Sequence, residues 1–212
     1  MPIITITRQY GSGGSDVAAR VAAILGWTLF DNSIVDAVAQ KLGVPTDTIR
    51  ALDERTPPFV ARLADTLALG TPQVMSPAAA AAVLSPDERV IEMTRRVMED
   101  AVTRGPVVVV GRGAQVVLSE HTDAVHVFCY APRDALVRRV ATREGVATPE
   151  ADRMVTDVNR QRETAVRRHY GRAWSAPEHY HLCVNTDWLG IEGAAQLVAH
   201  TARDKFALAI SD

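Results

Sequence analysis

Nine residues near the start of the chain, Thr7-Arg8-Gln9-Tyr10-Gly11-Ser12-Gly13-Gly14-Ser15, have the types and order that bind phosphate. An apolar run, Ile3-Ile4-Thr5-Ile6, precedes them, and a helical pattern over residues 16–25 follows. Glycine lacks a Cβ, so the backbone of such a turn takes unusual angles and approaches a ligand closely. The N–H groups of the turn and of the helix start then face an anion. Against the pattern G-x-x-x-x-G-K-[ST], Gly13 and Ser15 fit, while Arg8 stands at the first glycine and Gly14 at the lysine. Gly11, Ser12, Gly13, Gly14 and Ser15 are expected to cradle donor phosphates. The Ser15 hydroxyl is placed to reach Mg²⁺, or simply to cap the helix. Arg8 either supplies the charge that Gly14 cannot, or is a solvated strand-end arginine. A tight turn with no ligand is the bland alternative.

Three further groups fall where strands are expected to end. Asp31 follows a short strand candidate at residues 27–30 and could bind Mg²⁺ through water, orient an acceptor or cap the next helix. Arg112 lies between Gly111 and Gly113, just after the apolar run Val107-Val108-Val109-Val110. There it can fork onto an acceptor phosphate, or form part of a surface turn. Residues 133–172 are dense in arginine: Arg138, Arg139, Arg143, Arg153, Arg160, Arg162, Arg167, Arg168 and Arg172. Two helices lined with arginine beside a phosphate loop suit a lid over a triphosphate, with Arg139 and Arg143 four apart on one face. A solvated helix face is the usual fate of such a run. An RNA patch with Tyr170 and Trp174 interleaved is the rival. His179 and His181 have metal-like spacing, but no third ligand is evident nearby.

The elements that must carry these residues follow from periodicity. Strands are expected near residues 3–6, 27–30, 107–110, 125–130 and 181–185. Helices are expected over 16–25, 33–42, 86–104, 114–119, 132–144, 148–170 and 190–208, with shorter ones near 46–53 and 59–69. Residues 70–85, rich in proline and alanine, read as an insertion. Strands alternating with helices give an α/β protein with a parallel sheet covered on both faces. Ligands then bind at the carboxyl ends of the strands, where the loop, Asp31, Arg112 and the segment after Tyr130 all fall.

The chain has 212 residues, is 47% hydrophobic and carries a formal net charge of −2. That composition is enough for one core and provides no global field to recruit nucleic acid or a membrane surface. No signal peptide or long apolar span is read in the sequence, so a reduced, cytoplasmic protein is expected. Cys129 and Cys183 both sit in apolar strand-like runs and are expected to be buried free thiols.

Several segments together resemble the cytidylate kinase-like family of P-loop nucleoside monophosphate kinases. They are residues 4–15, Gly26-Trp27-Thr28-Leu29-Phe30-Asp31, residues 108–114, residues 127–132 and residues 177–186. The resemblance spans nearly the whole chain, apart from residues 70–85. It implies a three-layer P-loop NTPase fold with a parallel five-stranded sheet, a helical acceptor-binding insertion and an arginine-rich lid. One P-loop kinase-like domain would have its core at 1–31, 105–142 and 177–212, its acceptor region at about 32–104 and its lid at about 143–176. It implies ATP, Mg²⁺ and a nucleoside monophosphate, possibly CMP or dCMP. Arg112 would hold the acceptor phosphate and Arg160 would be a lid arginine, with Asn185 and Thr186 near the base. True cytidylate kinases carry the loop lysine, and Gly14 departs from that pattern. A nucleotide-binding regulatory protein without catalysis, and a kinase of another small metabolite, therefore stand beside the kinase expectation. The helix over 86–104 has apolar positions enough for a core or for a homodimer face.

Overall fold

The computed structural model describes residues 1–31 and 86–207, with side chains in the second segment described from residue 91. The helices expected at 33–42, 46–53 and 59–69, the insertion at 70–85 and the Ser85 cap lie outside the described residues. Elements below are numbered within the described part. Internal contacts divide the chain into two units, residues 1–31 with 98–212, and residues 32–97.

The first unit is built on five parallel strands: β1 (Ile3–Arg8), β2 (Thr28–Phe30), β3 (Val107–Val110), β4 (Ala124–Tyr130) and β5 (Leu182–Asn185). Their order across the sheet is β2-β3-β1-β4-β5, so β1 is central. From β1 the chain runs out to the edge at β2, returns to β3 beside β1, then crosses to β4 on the other side. That reversal places the topological switch at β1, where open α/β sheets bind ligands. β1 is longer than its apolar run and carries on to Arg8, because Thr7 and Arg8 keep pairing with Phe128 and Cys129.

Alternation sorts the strand residues onto two faces. Ile4, Ile6, Val108, Val110, Val125, Val127, Cys129 and Val184 meet helices α1 (Gly14–Leu25) and α6 (Thr186–Phe206). Those helices bury Val17, Ala18, Val21 and Ala22 from one, and Ala194, Ala195, Val198 and Ala202 from the other. Small residues at that spacing let α1 and α6 pack closely on the sheet and on each other. Each buried valine contributes about 1.5–3 kcal/mol. The opposite face carries Thr5, Thr7, His126 and Phe128. Around Phe128 pack Val166, Trp174 and Tyr180, with Tyr130 and Tyr170 alongside. Trp174 is thus buried against Phe128 and is no surface aromatic. Thr5 Oγ1 bonds His126 Nδ1 at 2.8 Å, and Thr7 Oγ1 donates to Gln115 at 3.1 Å, so this polar face is internally satisfied.

The remaining helices are α2 (Pro86–Thr103), α3 (Ala114–Val117), α4 (Arg133–Glu144) and α5 (Thr148–Tyr170). In the second unit, Glu92 on α2 takes both Arg95 and Arg96 at 2.9 and 2.8 Å. The closing helix begins at Thr186, four residues before the expected start. Asn185 caps it, accepting from the N–H groups of Asp187 and Trp188. Gly190, taken as the start, is instead a break in it, with φ 70° and ψ 171°. Cys129 is buried, as expected, and burial pushes its thiol up to about 12. Cys183 is exposed, contrary to expectation, because β5 is an edge strand and its apolar run covers only one side.

Candidate active site

The strand ends bring Arg8, Asp31, Gly111-Arg112-Gly113 and Asn185 to one edge of the sheet, around the N-terminus of α1. Gly11 and Gly13 bend the loop with φ of 83° and 74°. Gly13, and not Ser15, is the N-cap residue, and no side chain caps this helix end. The first intrahelical bond runs from the Val17 N–H to the Gly13 carbonyl, 3.0 Å. The N–H groups of Gly14, Ser15 and Asp16 therefore face outward without an intrahelical acceptor. Such an end attracts a phosphate through both its donors and its dipole.

The loop is held by four elements. Gln9 accepts the Ala131 N–H at 3.2 Å through its side chain. The Ser12 carbonyl accepts from Thr186 Oγ1 at 2.6 Å and from Arg139 Nη1 at 3.2 Å. From α5, Asn159 Oδ1 accepts the Tyr10 N–H at 2.8 Å, and Arg162 donates to the Arg8 carbonyl at 2.8 Å. Arg139 also bonds the Thr186 hydroxyl and carbonyl at 3.1 and 3.0 Å, so it ties the loop to the start of α6. Arg143 lies over the Tyr10 ring, 4.7 Å from its centroid, and bonds Glu144 at 2.8 Å. Arg162 stacks on the same ring at 5.9 Å. Burial, with the Glu144 hydrogen bond second, raises the Tyr10 phenol, so it stays protonated and donates to that carboxylate.

The arginine-rich helix divides by face. Arg160 pairs with Asp157 at 2.6 Å and Arg167 with Glu163 at 3.0 Å, and both arginines are about 70% exposed. Asn159 and Arg162 on α5 hydrogen-bond the loop; Arg162 stands within the arginine run of the sequence, whereas Asn159 carries no expectation there. Their spacing of three is the signal that could have found them, since i and i+3 share a helix face.

Arg8 lies among the strand ends, with Nη2 3.9 Å from Asp31 Oδ1 and both side chains about one-fifth exposed. Its stem runs against Gly14 and its head against Gly111. Arg112 has φ 54°, between Gly111 at 72° and Gly113 at 69°. A left-handed arginine is strained by about 1–2 kcal/mol, and such strain concentrates at functional positions. The Tyr170 ring supports the turn, since a methyl on Gly113 would overlap it.

Among the described residues no three acidic, histidine or cysteine side chains cluster as a metal cage. Mg²⁺ in phosphoryl-transfer sites needs none, because it takes substrate phosphates and water with one or two protein oxygens. Ser15 in the first turn of α1 and Asp31 at the end of β2 carry oxygens of the type such a donor set uses. His181 stacks on His126 with ring centroids 5.0 Å apart, and its Nδ1 accepts the His126 backbone N–H at 2.9 Å.

A central parallel strand, a glycine loop and an uncapped helix start define a P-loop phosphotransferase-type fold. The chain belongs to the cytidylate kinase-like family, whose model matches residues 3–188. It is 26% identical to a cytidylate kinase of Ignicoccus hospitalis over 93% of this chain and 97% of that protein. Among solved structures, it resembles an uncharacterised protein of Eubacterium ventriosum, with 20% identity and a TM-score of 0.66 over 95% of this chain and 98% of that one. It also resembles a gluconokinase of Sinorhizobium meliloti, with 17% identity and a TM-score of 0.52 over 97% and 96% of the two chains. These structural likenesses establish the fold.

Proposed function

We propose that this chain transfers the γ-phosphoryl group of ATP to a nucleoside monophosphate, with CMP and dCMP the first candidates. The observation that carries the reading is the uncapped start of α1, with outward N–H groups, set among strand ends that bear Arg8, Asp31 and Arg112. Membership of a cytidylate kinase-like family supports a nucleotide acceptor. ATP is a substrate here: its γ-phosphoryl group passes to the acceptor phosphate, giving ADP and a nucleoside diphosphate.

The loop amides of Gly11, Ser12, Gly13, Gly14 and Ser15 hold the donor phosphates. Arg112 forks onto the acceptor phosphate. Ser15 and Asp31 would hold Mg²⁺, which would neutralise phosphate charge. Arg139 and Arg162 act by holding the loop, while Arg143 and Arg160 are exposed lid arginines available to swing onto a bound triphosphate. Phosphoryl transfer is mostly positioning and electrostatics, which is the chemistry such an arrangement offers.

Purified protein with ATP, Mg²⁺ and a panel of CMP, dCMP, UMP, AMP, GMP, shikimate and gluconate decides the matter by ADP release. Turnover is expected with a pyrimidine monophosphate. ATP binding without turnover on any acceptor defeats the enzymatic reading and favours a nucleotide-binding regulator. Turnover confined to shikimate or gluconate moves the acceptor to another metabolite class.

A further inference from the structure

Gly14 is where a lysine-bearing phosphate loop keeps its cation. In this chain that position is sterically closed. A methyl on Gly14 would overlap Arg8 Cβ, and would stand 3.1 Å from Arg8 Cγ and 3.0 Å from Cys129 Cβ. The obstruction is the root of the Arg8 side chain, packed against the first turn of α1, so no rotamer change relieves it. Beyond that point the side chain runs across the strand ends. A methyl on Gly111 would overlap Arg8 Nη1 and lie 3.1 Å from Cζ, and Nη2 is 3.9 Å from Asp31. One side chain thus touches the donor loop at its base and the ends of β3 and β2 at its head.

We propose that positions 8 and 14 are alternative origins for a single active-site cation, and that Arg8 is the transposed form of the loop lysine. The inference rests on the donor and acceptor assignment above. It adds that the charge enters from the strand and reaches past the loop to Gly111, beside Arg112, where the acceptor phosphate arrives. A guanidinium there presents two parallel donors to two oxygens of a phosphoryl group, which an ammonium cannot do. Arg8 therefore serves the group in transit and the acceptor more than the resting donor. Gly14 and Gly111 are the two spaces its stem and head require.

Two measurements on the full chain test this. The first needs no nucleotide. Thermal stability is compared for Gly14→Ala, Arg8→Gly and the double variant. Arg8→Gly is the required partner, because Arg8→Ala would keep the obstructing Cβ. Gly14→Ala should lower Tm markedly in the parent, or prevent folding. In the Arg8→Gly background the same change should cost little or raise Tm, since alanine favours helix. An equal loss in both backgrounds, or no recovery of folded protein in the double variant, overturns steric exclusion.

The second measurement follows ATP·Mg²⁺ affinity and turnover in Arg8→Gly and in Arg8→Gly/Gly14→Lys. Arg8→Gly should keep ATP affinity within a few-fold while kcat falls roughly 100- to 1,000-fold, the usual loss of one preorganised charge partner. The lysine variant should recover about tenfold or more of that loss. A folded, ATP-binding lysine variant no faster than Arg8→Gly overturns the transposed cation. Parent protein that binds ATP without turnover defeats the kinase assignment instead, and the stability comparison still decides whether the two positions exclude each other.

Discussion

Asn159 takes the backbone N–H of Tyr10 at 2.8 Å, across 149 residues of sequence. The amide side chain thereby fixes the entry to the phosphate loop from a helix that the sequence marks only by its arginines. Asn159→Leu should cost about 1–2 kcal/mol in urea unfolding, because it leaves a part-buried donor without its acceptor. ATP affinity should fall as well. Asn159→Asp keeps an acceptor and should largely preserve stability, yet it adds a negative charge close to the triphosphate. Loss of ATP affinity in both variants, with stability lost only in the leucine, is the expected pattern in isothermal titration and unfolding.

Thr186 and Arg139 should behave as one unit. Thr186 is fully buried, and its hydroxyl joins Ser12, Tyr130 and Arg139. Thr186→Val keeps the shape and removes the bonds, so it should destabilise by about 1–3 kcal/mol. Arg139→Ala should cost a similar amount. The double variant should lose clearly less than the sum, since both changes free the same Ser12 carbonyl. Additive losses in chemical denaturation would separate the two residues.

Arg112→Gly divides stability from function. Glycine takes a left-handed backbone without the Cβ penalty, so thermal stability should hold or rise by up to about 1 kcal/mol. Acceptor KM should rise by roughly 100-fold, the loss of a charge-assisted fork. A parallel fall in Tm would mean that the strain in this turn is relieved by other contacts of the side chain.

His126 sets a pH dependence. Its imidazole is pushed down to about 4, chiefly by burial and then by His181 and His121. The unfolded chain binds that proton near pH 6.5 and the folded chain does not. Stability from this group is therefore unaffected above about pH 6.5 and is lost progressively as pH falls towards 4. Unfolding free energies measured across that window should decline on the acid side, and His126→Gln should flatten the decline.

Much of the fold follows from local signals. The strand, glycine loop and helix at the start, the run Val107-Val108-Val109-Val110 and the proline-opened helices all lie where periodicity and punctuation place them. What local signals miss depends on neighbours. Cys183 looks as apolar in its run as Cys129, and only the strand order shows that β5 is an edge. Gly190 resembles a helix boundary, but the Asn185 cap starts the helix earlier and the glycine becomes a break within it. The arginines of α5 are alike in sequence. Which of them meets the loop depends on how that helix docks: Arg162 reaches the Arg8 carbonyl, while Arg160 faces outward and pairs with Asp157. Arg8 and Gly14 stand out in sequence as an unusual pair, whereas the overlap of a Gly14 methyl with Arg8 Cβ depends on how the strand end packs on the first turn of α1.

The ties on the phosphate loop also say when it can form. Its nine residues are contiguous, but the partners that shape it lie 127, 149, 154 and 174 residues away. Closures that long are slow relative to local helix formation. During synthesis the loop emerges first and remains without its binding geometry until Thr186 has joined it. Competence for nucleotide is therefore a late event in folding, and chains truncated before α6 should take up helix and still fail to hold ATP.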